Sequence, residues 1–182
     1  MVGETFWRSA ADKGQKGDET MALEYDPGDL AGRYGPAVYR LAFARTGSRA
    51  DAEDVMQETF LRLVRRRPVL ESEEHAKAWL LRVALGCVAD LYRTPWRRHD
   101  LPLSEDLPAP EPAEGGVLEA VLALPEKYRV PVHLYYYEEL TTAQIARVMG
   151  KKEATVRTWL RRGRLLLSQM LKGGAGDVEA GI

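Results

Sequence analysis

A single cysteine, Cys87, leaves the chain without a partner for an intramolecular disulfide. It falls on an apolar helical stripe, so it reads as a buried, inert thiol. Histidine is scarce too: His75, His99 and His133 are the only three. None has a second His, a Cys or an Asp at ligand spacing, so no metal site is expected. There is no glycine-rich phosphate loop, and no Ser–His pairing can be argued. No cofactor and no catalytic constellation are expected, and a nucleic-acid-binding reading leads an enzyme reading. No apolar run is long enough to cross a membrane, and the first residues lack a signal-peptide core. A soluble, cytoplasmic protein is the expectation. An excess of positive charge is also missing. The 26 Lys and Arg against 27 Asp and Glu give a net charge of -1, so any contact with DNA must come from local clusters. The basic residues do cluster, at 65–67, 93–98 and 157–164.

What the sequence has is helical periodicity, and no strand pattern survives against it. Residues 1–24 read as a disordered extension, rich in Gly, Lys, Asp and Glu. A helix starts at Pro27 with Asp26 as its cap, and Leu30, Tyr34, Ala37, Val38 and Leu41 recur at helical spacing up to Gly47. Ser48 caps the next helix. Ala52, Val55, Met56, Thr59 and Leu63 face inward there, while Asp51, Glu53, Asp54, Gln57 and Glu58 lie outside. Acidic residues early in a helix are often only partners of its dipole. Pro68 stops this helix. Ser72 caps a third, with Leu80, Val83, Ala84, Cys87, Val88 and Leu91 as an unbroken stripe and Trp79 at its edge. It runs out into Tyr92, Arg93, Thr94, Pro95, Trp96, Arg97 and Arg98. Arginines interleaved with aromatic rings suit melted or single-stranded nucleic acid; a basic helix end with two half-buried rings is the plainer alternative.

Residues 99–116 form an acidic, proline-rich linker that should stay extended. It divides the chain into two small helical domains, 25–98 and 117–172, followed by a disordered tail at 173–182. The fold class is all-α. In the second domain a short helix from Val117 is followed by one starting at 125–127, where Pro131 should kink the backbone. Thr141 with Gln144 makes a capping box, and Gly150 suits the left-handed residue past a helix end. Val156, Leu160, Leu167 and Leu171 would be the inward face of the last helix. Thr155, Arg157, Thr158, Arg161 and Arg162 lie on its other side. Two short helices, a Gly-containing turn and a basic second helix make a helix-turn-helix. Arg-rich faces are often only solvated. Here, however, Thr and Arg stand near the start of the second helix, where side chains reach base edges and phosphates.

Three stretches together resemble a bacterial RNA polymerase sigma factor of the extracytoplasmic-function (ECF) group. DAEDVMQETFLRLVRR, residues 51–66, resembles the family's core-polymerase-binding helix. HAKAWLLRVALGCVADLYR, residues 75–93, resembles its promoter-melting helix, whose Trp-Leu-x-Arg pattern is Trp79, Leu80 and Arg82 here. LPEKYRVPVHLYYYEELTTAQIARVMGKKEATVRTWLRRGRLLL, residues 124–167, resembles its second DNA-binding domain. The resemblance covers roughly residues 25–170, in the family's order.

It implies a transcription initiation factor that binds core RNA polymerase and promoter DNA, with an anti-sigma factor as a further candidate partner. Asp51, Asp54, Gln57 and Glu58 would dock on the polymerase clamp. Trp79, Arg82, Arg93, Trp96 and Arg97 would meet the minus-ten strand, with the 70–75 loop capturing an unstacked base. Thr155, Arg157, Thr158, Arg161 and Arg162 would read the minus-thirty-five element, with Arg164 on a phosphate. The linker would thread into the polymerase's RNA path. The chain departs from the family where Leu85-Gly86 replaces a common Arg-Asn, where Trp159 replaces a common Arg, and at Pro131. The competing reading is a two-domain helix-turn-helix transcriptional regulator that acts without core binding.

Overall fold

The computed structural model describes residues 23–93 and 116–173. Among these there are seven helices and no strand: α1 (Pro27–Thr46), α2 (Arg49–Arg66), α3 (Glu73–Leu91), α4 (Gly116–Ala123), α5 (Glu126–Tyr136), α6 (Thr142–Met149) and α7 (Glu153–Gly173). Of the anticipated extension at 1–24, linker at 99–116 and tail at 173–182, only Leu23, Glu24, Gly116 and Gly173 are described, and the two glycines belong to the ends of α4 and α7; Trp96 and Arg97 also lie outside the described residues.

Local chemistry sets the helix ends. The Asp26 carboxylate accepts from the N–H groups of Gly28 and Asp29 and starts α1. Ser48 accepts from the Asp51 N–H at α2, and Ser72 from the His75 N–H at α3. Asp26 thereby satisfies two, and each serine one, of the orphan donors of a first helical turn. Thr141 and Gln144 form the full capping box of α6. Gly150 closes α6 at φ 62°, where a side chain would be strained.

α1, α2 and α3 pack on one another as the first unit; α4 to α7 form the second, with α5 and α6 both against α7. The inner faces hold Val38, Leu41, Val55, Leu63, Leu80 and Val88 in the first unit and Leu124, Leu134, Ile145, Val156 and Leu160 in the second. The buried apolar residues of both units belong to one continuous cluster. α1 packs against α5, and α3 against α6.

Several side chains sit elsewhere than the periodicity indicates. Trp79, expected on a strand-facing surface, is only 8% exposed and belongs to the core. α3 is enclosed by α1 and α2 on one side and α6 on another. Its buried arc therefore widens to take in Trp79 and Leu81 beside Leu80 and Ala84. Leu171 is exposed rather than inward, because the last turn of α7, residues 168–171, is exposed all round and runs past its packing partners. Met56, Val83 and Leu91 are half-buried. Cys87 is buried as expected, and desolvation raises its thiol pKa, which keeps it an unreactive thiol.

Candidate polymerase and nucleic-acid interfaces

On α2 the outer side is one arc. With about 100° between successive residues, Asp51, Asp54, Gln57 and Glu58 fall within about a third of the circumference. Asp54 and Gln57 are exposed; Asp51 and Glu58 are half-exposed. Glu58 is braced: its carboxylate accepts from Arg62 Nε at 2.8 Å, and Arg62 Nη2 reaches Asp90 on α3 at 3.0 Å. Leu61 and Val64, 48% and 50% exposed, stand on the same arc. Exposed aliphatics beside acids are a poor solvated face and a good docking face. The helical period held the signal for both: Leu61 and Val64 stand two turns on from Asp54 and Gln57 respectively.

The second interface is α7, held against α6 by the helix-turn-helix. Arg157, Thr158, Arg161, Arg162 and Arg164 are exposed and Thr155 is half-buried. The side chains divide into two strips. Arg157, Arg161 and Arg164 line one shallow groove of about 390 Å³ together with Thr142 at the start of α6. Thr155, Thr158 and Arg162 lie further round the helix. Arg157 is preset: Glu153 Oε1 accepts from Arg157 Nη2 at 2.6 Å and from the Thr142 hydroxyl at 2.6 Å. The Thr142 hydrogen bond first, and then the Arg157 one, lower the Glu153 carboxyl pKa. Thr158 turns its hydroxyl to the Ala154 carbonyl at 3.0 Å. Arg164 has its guanidinium 5.7 Å from the centre of the Tyr135 ring, a cation–π contact. Arg161 and Arg162 make no ion pair with the described residues. Glu153 and Thr142 carry no positive charge, so the basic pattern of α7 does not reveal them, although Glu153 stands one turn before Arg157.

The minus-ten candidates are scattered. Arg93 is exposed and pairs with Asp90 at 3.3 Å. Arg82 donates from Nη1 to the Arg147 carbonyl at 3.0 Å, across to the second unit. Trp79 is in the core, so only Arg82 and Arg93 of the described set reach a surface. In the 70–75 loop, Leu70 is fully buried and its carbonyl accepts from the Leu23 N–H at 2.6 Å, while Glu71 is exposed.

Two departures noted in the sequence meet in one place. Leu85 and Trp159 both line a cavity of about 330 Å³ between the units, with Arg45, Glu126, Lys127, Val130, Met149 and Lys151. The Lys127 ammonium is 6.0 Å from the centre of the Trp159 ring. Both departures therefore place apolar side chains at the unit junction. Among the described residues no cluster of His, Cys, Asp or Glu could hold a metal ion, and no helix is long and apolar enough to cross a membrane.

The chain matches two family models in order, Sigma-70 region 2 over residues 30–98 and Sigma-70, region 4 over residues 115–167. It is 30% identical over 154 residues to the ECF RNA polymerase sigma factor SigM of Bacillus subtilis, covering 77% of this chain and 91% of that protein. It is 32% identical over 161 residues to the ECF RNA polymerase sigma factor BldN of Streptomyces coelicolor, covering 81% of this chain but 61% of that protein. The matched part is likewise 64% of the length of SigE of Mycolicibacterium smegmatis. In fold it is similar to the sigma factor RpoE of Bartonella quintana, solved in complex with the anti-sigma factor NepR. That match has TM-score 0.64 and 22% identity, over 80% of this chain and 96% of that one.

Proposed function

The chain belongs to the ECF RNA polymerase sigma factors, and from that premise we propose that it binds core RNA polymerase in the cytoplasm and directs it to promoters with a minus-thirty-five and a minus-ten element. The observation that carries this is the outer arc of α2, where Asp54, Gln57, Glu58, Leu61 and Val64 form an exposed acidic and aliphatic face. A regulator that only binds DNA has no use for it. Residues 25–98 form the core-binding and melting domain in this reading, and residues 117–172 the duplex-binding domain. Asp51, Asp54, Gln57 and Glu58 dock on the polymerase, with Leu61 and Val64 as the desolvated centre of the contact. Arg157, Arg161 and Arg162 enter the major groove with Thr155 and Thr158, and Arg164 meets a phosphate. Arg82 and Arg93 meet the minus-ten strand, with Trp96 and Arg97; Trp79 supports that helix from within.

No chemical step is catalysed by the chain itself in this account; it supplies binding energy and orientation to the polymerase. An anti-sigma factor is a further proposed partner, supported by the solved complex of the Bartonella quintana relative. The test is a titration of core polymerase with the full chain and with a D54K/E58K variant. Stoichiometric binding is expected, weakened by about 2 kcal/mol in the variant, the scale of losing partly desolvated charge contacts. Equal affinity of the two chains refutes this docking face. No core binding by either, with duplex binding intact, favours a helix-turn-helix regulator.

A further inference from the structure

Glu153 is the only acidic residue from Thr141 to Gly173, a stretch whose other charges are all Lys or Arg. It opens α7, on the face proposed to meet duplex DNA, with its side chain 38% exposed. A carboxylate there repels phosphates, so it lowers affinity for every DNA sequence alike. Two ordinary roles leave its contacts unexplained. An acid in the first turn complements the helix dipole, and an exposed ion pair one turn apart adds little to stability. Neither role requires a second helix. Yet Glu153 Oε1 accepts from Arg157 Nη2 on its own helix and from the Thr142 hydroxyl at the start of α6, both at 2.6 Å. The carboxylate is therefore anchored where both helices of the helix-turn-helix begin. It cannot swing away from Arg157 without breaking the Thr142 bond.

Arg157 is thereby set apart from its neighbours. Among the described residues neither Arg161 nor Arg164, which share the groove with Arg157, pairs with a carboxylate. A free guanidinium gains from any phosphate and releases counterions as it does so, which carries no sequence information. A guanidinium paired with a carboxylate is neutral as a unit and gains little from a phosphate. Its remaining N–H donors keep their directions, and a guanine presents O6 and N7 to such a fork in the major groove. Glu153 thus cancels the attraction to phosphate and leaves the hydrogen bonding to a base. Specificity is a difference of affinities, and it grows when binding to wrong sequences is weakened.

We propose that Glu153 is a specificity-determining residue of the duplex contact: it withdraws Arg157 from the phosphates and holds it for a guanine in the major groove. This rests on the reading of α7 as the helix that enters the minus-thirty-five element. The same arginine without its acid binds more sequences, binds them more tightly and chooses among them less.

The measurement is duplex binding by the full chain, on a library randomised across the minus-thirty-five positions, at several salt concentrations. R157A is expected to relax one base pair and to leave the salt slope nearly unchanged, because the paired arginine releases no counterion. E153A is expected to relax the same base pair, by about fivefold or more. It should also bind non-cognate sequences more tightly and steepen the slope of log K against log salt by about 0.9, the value of one added phosphate contact. Added to R157A, E153A should change neither preference nor slope, a coupling that the double-mutant cycle reads. An E153A chain that keeps the wild-type preference at that base pair overturns the proposal. So does one that weakens all sequences alike, as the loss of a dipole partner would. An R157A chain whose slope falls by about 0.9 also overturns it, since Arg157 would then be a phosphate contact. That arm leaves Glu153 in place and stands even if E153A fails to fold. A wild-type chain with no sequence preference at any position contradicts the proposed function instead, so the two failures are distinct.

Discussion

Gly163 sits in the middle of α7, buried against α5. A Cβ there would stand 2.7 Å from Val132 Cγ2 and 3.4 Å from Tyr128 Cβ. Carbon atoms in good contact lie about 3.5–4.0 Å apart, so the Val132 contact is short by about 1 Å. Val132 is fully buried and, being β-branched, has few rotamers to retreat into. Helix propensity argues the other way, since Ala in place of Gly inside a helix gains about 1 kcal/mol. Overpacking of this kind costs about 1–3 kcal/mol. The balance is a net loss of about 1 kcal/mol, up to about 2 if α5 and α7 must separate rigidly. For a chain of this size that lowers Tm by about 2–8 °C. Thermal unfolding of full-length G163A measures it. V132A makes room for the new methyl, so G163A placed on V132A should be neutral or stabilising, a coupling that a double-mutant cycle reads directly. An unchanged or raised Tm for G163A alone would refute the argument that this glycine exists to let α5 approach α7. Because α7 carries the candidate reading face, duplex binding should weaken in parallel.

Three further outcomes follow from the same geometry. In binding to a duplex library randomised across the minus-thirty-five positions at two salt concentrations, Ala at Arg157, Arg161 or Arg162 should relax sequence preference at one position, worth roughly 1–3 kcal/mol per arginine–guanine pair. Ala at Arg164 should weaken all sequences alike and reduce the salt slope. Burial by itself would raise the Glu138 carboxyl, but the hydrogen bonds from Arg40 and the charges of Arg40 and Lys77 outweigh it and bring it from the ordinary 4.5 down to about 2. A depressed acid stabilises the fold fully above its unfolded value and loses that contribution as pH falls from about 4.5 towards 2, about 3 kcal/mol at full strength. Acid titration of stability should therefore show a limb in that window that E138Q flattens. Trp79→Ala should cost about 3–5 kcal/mol of stability, as for a buried aromatic. At a temperature where the variant remains folded, strand opening followed by permanganate should be largely retained.

The parts of the fold legible in the sequence are those governed within four residues. Asp26, Ser48, Ser72 and the Thr141–Gln144 box each bond a group two or three positions away, so chain order alone reveals them. Gly150 is legible for the same reason. Trp79 was not, because a single apolar stripe presumes partners on one side, and α3 has them on both. Leu171 kept the helical period but outran the helices that would cover it. The ion cluster is the least legible element. Arg40 and Lys77 lie 98 and 61 residues before Glu138, and nothing local distinguishes Glu138 from its exposed neighbour Glu139. At the α2 face the acids are legible from their charge, whereas Leu61 and Val64 share that arc only by the period of the helix and resemble core residues in type. In the Glu153–Arg157–Thr142 set the basic residue is conspicuous in sequence, while the acid that positions it is one of many exposed helix acids.

The central claim is that this chain gives core polymerase a promoter preference. The direct measurement is run-off transcription by purified core polymerase with and without the full chain, on a template library randomised at both promoter elements. The account predicts transcripts that depend on the chain, start at a fixed distance from an enriched minus-thirty-five and minus-ten pair, and fall sharply with D54K/E58K. Tight duplex binding through α7 with no chain-dependent transcript from any template would contradict it.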